Sequence, residues 1–232
     1  ERKPRGGERG RGRVAPDVNK RDWLWKNARA FFGKEFKNSR RRRRARATAD
    51  GLFLHHAALD EFQDRLEMVN KSFTSAAVVT GFADFWEVPF KTAKIVSDTE
   101  TLDLAPAAHD LVLHAMSLHW ANDPVGQLIQ CRRALMPDGL FIATSFGGDT
   151  LQELRRVLGE AEIAVTGGLS PRIAPMPELR DLGGLLQRAG FALPVADTAT
   201  LTVEYRDIWH LMRDLRAMGE TNALSARLRR PT

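Results

Sequence analysis

Residues 110–143 begin Asp110-Leu-Val-Leu-His-Ala-Met-Ser-Leu-His-Trp120 and end Leu135-Met-Pro-Asp-Gly-Leu-Phe-Ile-Ala143. The run Leu111 to Leu113, continued by Ala115 and Met116, is apolar and short, as a buried strand is. Between the two blocks, Val125, Leu128, Ile129, Ala134 and Leu135 recur at helical steps, which predicts a helix over 124–135. Pro137-Asp138-Gly139 predicts a tight turn, and Leu140 to Ala143 predicts a second buried strand. A strand, a crossover helix and a second strand in this order predict parallel pairing.

The same alternation extends outward. Upstream, Leu59, Phe62, Leu66, Val69 and Phe73 predict an amphipathic helix over 56–73. Ala76 to Val79, ended by Gly81, and the weaker Ile95-Val96 predict two more strands. Downstream, Asp149 is expected to N-cap a helix over 150–163. A loop runs from Gly167 to Pro177, and a helix over 178–189 is expected to stop at Gly190. Leu193–Ala196 and Thr200–Tyr205 predict two closing strands, and 206–218 a final helix. The fold class is therefore α/β, a mostly parallel sheet with helices on both faces.

The charge is divided unevenly. Residues 1–50 hold 18 Lys/Arg and 6 Asp/Glu, a net of +12, while the rest hold 17 and 23, a net of −6, which together give the whole-chain +6. Residues 1–46 are thus expected to form a basic, partly extended arm, and 47–232 the folded domain. Residues 1–20 are rich in Gly, Pro and Arg and hold too few apolar residues to fold alone. Trp23, Trp25, Phe31, Phe32 and Phe36 then cluster at roughly helical spacing, and Arg40, Arg41, Arg42, Arg43 and Arg44 follow. The aromatic segment either packs on its own domain or anchors in another protein. The arginines call for an anionic partner: nucleic acid, an anionic membrane surface or an acidic protein surface.

Other signals bound the function. Cys131 is the single cysteine, so no intrachain disulfide can form. No apolar run is long enough to cross a membrane as a helix. His55 and His56 are adjacent and would face different sides of a helix, so no metal site is expected. The start at Glu1 is expected to mark a processed or partial chain, with the domain incomplete at its C-terminus.

Six blocks carry a family resemblance. Two are those that open this section. The others are Phe146-Gly-Gly-Asp-Thr-Leu-Gln-Glu-Leu154, Gly167-Gly-Leu-Ser-Pro-Arg-Ile-Ala-Pro175, Asp181-Leu-Gly-Gly-Leu-Leu-Gln-Arg-Ala-Gly-Phe191 and Asp214-Leu-Arg-Ala-Met-Gly-Glu-Thr-Asn222. Together they resemble the mitochondrial complex I assembly factor 5 family and, more distantly, the malonyl-carrier-protein methyltransferases of biotin synthesis. The resemblance implies a Rossmann-like class I methyltransferase fold, S-adenosylmethionine as cofactor and a mitochondrial matrix setting. It places Asp98 where the family reaches the adenine amino group, and His119 with Trp120 where substrate approaches. Alternatively, Asp98 is a turn cap, His119 a buried histidine and Asp149 a helix cap.

The chain departs from that pattern before Asp110. The family's glycine-rich loop is reduced to Gly81 in Ala76-Ala-Val-Val-Thr-Gly-Phe-Ala-Asp-Phe-Trp86, and Phe82, Phe85 and Trp86 are expected to crowd the cofactor's place. Only 28 residues separate Gly81 from Asp110, so one strand–helix unit is expected to be missing and the N-terminal half of the sheet truncated. On this reading Gly81, Asp98 and His119 are vestigial cofactor contacts. No catalytic residue and no bound cofactor are expected, and S-adenosylmethionine would bind only if the site still works. The expected function is a degenerate, accessory or assembly subunit of a mitochondrial complex, with complex I first. The alternatives are an active S-adenosylmethionine-dependent arginine hydroxylase or methyltransferase, and an RNA-associated protein of the mitoribosome.

Overall fold

The structure is a computed structural model that describes residue 48 and residues 51–170, 172–173 and 176–222. Trp23, Trp25, Phe31, Phe32, Arg40 to Arg44 and the division at residues 46 and 47 lie outside the described residues.

In chain order the elements are α1 (Phe53–Met68), β1 (Ala76–Thr80), α2 (Ala83–Glu87), β2 (Lys94–Ser97) and β3 (His109–Ala115). A 3-10 turn (Leu118–Trp120), α3 (Pro124–Ala134), β4 (Leu135–Thr144), α4 (Gln152–Thr166), α5 (Leu179–Arg188) and α6 (Ile208–Ala217) follow. The sheet order is β2-β1-β3-β4, and all three pairings are parallel.

Alternation along the strands explains the two covered faces. Val78, Leu111, Leu113 and Ala115 pack on one side with Ala58 and Phe62 of α1 and Trp86 of α2. Ala77, Val79 and Val112 face the other side, against Cys131 and Ala134 of α3. A third cluster ties α3 to α5 through Leu118, Leu128, Leu185 and Ala189, and Phe141 stacks on Phe191 at 4.7 Å. Trp86 is fully buried, and its indole Nε1 donates to His55 Nδ1 at 3.1 Å.

Several expectations hold closely. The strands at Ala76, Ile95 and Leu111, the crossover helix after Asp123 and the stop at Gly190 are all present. Asp123 caps α3 by accepting from the Gly126 amide at 2.9 Å. Gly190 takes φ 85°, a left-handed conformation that favours glycine after a helix. The short link also holds, because only the five-residue α2 joins β1 to β2. No helix separates β2 from β3 among the described residues.

Four expectations need correction. The first helix runs Phe53–Met68 instead of 56–73, because Val69 turns to extended backbone while its N–H still reaches Arg65. Phe73 nevertheless packs on the core. The Pro137-Asp138-Gly139 turn lies inside β4 as a bulge, where the pairing moves from His109–Leu135 to Leu111–Leu140. Asp138 there has φ 61°, and Lys71 holds its carboxylate at 2.8 Å. Asp149 is not a side-chain cap of α4. The helix starts at Gln152 after a left-handed Leu151, and the Asp149 carbonyl accepts from the Gln152 amide at 2.9 Å. Last, neither Leu193–Ala196 nor Thr200–Tyr205 forms a strand. Leu193 is 94% exposed and Val195 86%, and β4 remains the sheet edge. Strand propensity without a pairing partner does not make a strand.

Candidate cofactor and substrate site

In an open parallel sheet, ligands gather outside the carboxyl ends of the strands, where the strand order reverses. From β1 the chain passes to β2 on one side, and β3 then lies on the other. The tips of β1, β2 and β3 therefore define the crevice.

The first tip carries Thr80, Gly81 and Phe82. The Gly81 amide donates to Ser117 Oγ at 3.1 Å, and that hydroxyl donates to the Ala115 carbonyl at 3.1 Å. The Phe82 amide donates to Thr80 Oγ1 at 3.1 Å. The turn amides thus rest on side-chain hydroxyls, which can rotate, and not on backbone carbonyls. Of the three aromatics expected to crowd the cofactor's place, Trp86 alone is fully buried, and Phe85 packs on it at 5.2 Å. Trp86 is drawn into the core between Phe62 and Phe90, and Phe82 lies on the His55 ring at 4.4 Å. Both rings belong to the α1 face of the sheet.

The second tip carries Asp98. Its amide donates to the Thr80 carbonyl at 3.3 Å, and the residue is 6% exposed. Because β2 pairs directly with β1, Asp98 stands at the tip of the neighbouring strand. This is the residue that the resemblance places where the family reaches the adenine amino group. The loop beyond it is pinned to α3: Gln127 Nε2 donates to the Thr99 carbonyl and Gln130 Nε2 to the Glu100 carbonyl, both at 2.9 Å. Leu102 N–H returns a bond to Gln130 Oε1 at 2.8 Å. These glutamines were not legible as site residues. Their spacing reads as a helix face, and their partners lie 28 or 30 residues away.

The third tip carries Ser117, His119 and Trp120. The His119 side chain is almost fully buried, and its Nε2 lies 3.3 Å from Glu220 Oε1. Trp120 Nε1 donates to the same oxygen at 2.9 Å. Phe146, just past β4, packs on the His119 ring at 4.7 Å. Gly81 and His119 are therefore on neighbouring tips, with Ser117 between them, while Asp98 lies across β1. Sequence reading missed Glu220, whose bonds to Trp120 span 100 residues.

One carboxylate holds Ser170 and Arg172 of the stretch after α4. Glu162 accepts from Arg172 Nε and NH2 at 3.0 and 2.9 Å and from the Ser170 amide at 3.1 Å, and it also bonds the Ser170 hydroxyl. Hydrogen bonds from Arg172, then from Ser170, hold its carboxyl down to about 2. The far end of the loop meets the sheet, where Gly148 N–H donates to the Pro177 carbonyl at 2.8 Å. No cluster of His, Cys, Asp and Glu suited to a metal ion exists among the described residues.

Residues 51–143 match the family model described as a methyltransferase domain. Over 156 residues the chain is 42% identical to the mitochondrial arginine-hydroxylase NDUFAF5 of Mus musculus, covering 67% of this chain and 46% of that protein. The human protein of the same name is 41% identical, with 67% and 45% covered. Its fold is the α/β class I methyltransferase fold. A malonyl-[acyl-carrier protein] O-methyltransferase of Xylella fastidiosa is 38% identical over 135 residues, covering 58% of this chain and 44% of that one. Among solved structures, a SAM-dependent methyltransferase of Thermotoga maritima, a possible histamine N-methyltransferase, superposes with TM-score 0.43 at 18% identity. It covers 61% of this chain and 75% of that one. The chain spans about half the length of the curated NDUFAF5 relatives it matches.

The expectation of a degenerate, accessory subunit is corrected. The relatives are named as arginine hydroxylases, which are enzymes. The expectation of no cofactor loses its basis too, since the matched domain is a methyltransferase domain.

Proposed function

We propose that this chain is the core of an S-adenosylmethionine-dependent enzyme that hydroxylates an arginine side chain on a protein partner during assembly of respiratory complex I. The likeness over 156 residues to proteins named as arginine hydroxylases carries the reading. The donor set at the strand tips suits the adenosine portion. Asp98 would accept from ribose hydroxyls or the adenine amino group, and the Gly81 turn would lie against the methionine portion. When bound, the cofactor supplies a sulfonium centre with a transferable methyl group. The chain's own residues orient it: Gln127 and Gln130 fix the loop after Asp98, and Ser117 sets the Gly81 turn.

The partner is protein, and the setting is the mitochondrial matrix. Residues 1–46 serve as a docking arm, with Trp23, Trp25, Phe31 and Phe32 as anchors and Arg40 to Arg44 as electrostatic guide. RNA contact through the arginines has charge alone behind it and is set aside. Methyl transfer in place of hydroxylation is the second reading, favoured by the matched methyltransferase domain.

Hydroxylation needs dioxygen as oxygen source and oxidant and two electrons from a reductant, with the second oxygen atom leaving as water, so the test incubates the protein in air with a reductant, S-adenosylmethionine and isolated complex I subunits, then reads arginine-containing peptides by mass spectrometry. Gain of an oxygen supports hydroxylation, and gain of a methylene supports the second reading. Unchanged peptides from every subunit overturn both.

A further inference from the structure

Glu220 has no counterpart among the expected site residues, and its surroundings are unusual. Its side chain is 14% exposed, and both of its side-chain bonds converge on Oε1, from Trp120 and His119. Neither donor is a permanent cation. No Lys or Arg pairs with this carboxylate among the described residues. A mostly buried carboxylate without a cation is costly unless a partner arrives. A second group nearby is also incomplete, because His119 Nδ1 is buried with no hydrogen-bond partner. With the ring hydrogen on Nε2, facing Glu220, Nδ1 offers a lone pair.

Aromatic rings surround the carboxylate: Trp120 bonds it directly, and Phe146 packs on the His119 ring that also reaches it. Carboxylate oxygens beside aromatic rings match a planar cation: the guanidinium donates to the oxygens while its face lies on the rings. An ammonium would use the charge but not the flat surfaces.

We propose that Glu220, positioned by Trp120 and His119, binds the guanidinium of the substrate arginine at the tip of β3. This deepens the hydroxylase reading and rests on it for the identity of the substrate. The site is assembled from the end of β3 and the segment after α6, so a chain ending before Glu220 would lack it.

The experiment uses binding alone, with the intact protein. A short capped arginine peptide, its citrulline counterpart and its lysine counterpart are titrated while tryptophan fluorescence is followed. Citrulline keeps the shape of arginine without the charge. The wild-type protein is expected to bind the arginine peptide about tenfold or more tightly than the citrulline peptide, the worth of a charge-assisted hydrogen bond. Lysine is expected to fall between. Glu220→Gln retains an oxygen for Trp120 and is expected to bind arginine and citrulline alike. Equal affinity of the wild-type protein for arginine and citrulline overturns the proposal, whatever the variant does. So does an arginine preference that survives in folded Glu220→Gln. Cofactor titration of the same samples separates the two readings. Cofactor binding without arginine preference sinks this site alone, whereas arginine preference without cofactor binding sinks the enzyme reading and leaves the cation site standing.

Discussion

Glu162 shows how one residue can organise a loop far longer than itself. Four donors from Ser170 and Arg172 converge on a side chain that is 5% exposed. Its pKa falls from the ordinary 4.5 to about 2 in the folded protein. A depressed carboxylate contributes stability that is fully present above the unfolded value and is lost as pH falls through the folded one. Glu162→Gln removes that titration. Thermal unfolding followed from pH 6 to pH 2 is therefore expected to show the wild-type protein losing more of its melting temperature than the variant below about pH 4.5. Parallel curves would mean that the clamp does not form. Reading the sequence at this scale succeeds where the partner is near and fails where it is far. Asp98 follows its strand directly and could be named. Glu220 sits in a helix-end segment 100 residues from Trp120, and nothing local marks it.

At the level of elements, β1 and β3 carry the sheet. Leu113 is fully buried at the centre of β3, among Phe62, Val78 and Trp86. Leu113→Ala is expected to cost about 2–5 kcal/mol, from lost transfer energy and the cavity left behind. Chemical denaturation measures it, and a loss well below 1 kcal/mol would contradict the central place given to β3. The parallel core was legible because each buried strand is a short apolar run set off by Asp, Gly or Pro. Leu193–Ala196 and Thr200–Tyr205 were misread because their apolar residues signal only the capacity to pair. Pairing also needs an approach to the β4 edge, which the turn after Gly190 does not make here. The bulge at Met136 to Gly139 was half legible: Pro-Asp-Gly marks a turn, but only the register with His109 and Leu111 shows that it interrupts a strand.

Across the whole molecule, residues 1–50 carry net positive charge and the rest net negative charge. Protein docking through residues 1–46 predicts that Trp23→Ala with Trp25→Ala releases the chain from its partner in co-migration on native gels. Raised salt should only slow association, because arginines act mainly on encounter. Unchanged co-migration after deletion of residues 1–46 would make the arm a passive tail. The central claim, however, concerns the strand tips. The shortened link between β1 and β3 argued for a lost cofactor site, yet it brings the Asp98 strand directly against β1. The most direct measurement is calorimetric titration of this chain with S-adenosylmethionine, beside Asp98→Asn. Saturable binding is expected, weakened about ten- to a hundredfold in the variant, as befits a charged hydrogen bond of about 1.5–3 kcal/mol. No saturable binding to the folded wild-type protein, or equal binding by Asp98→Asn, would contradict it.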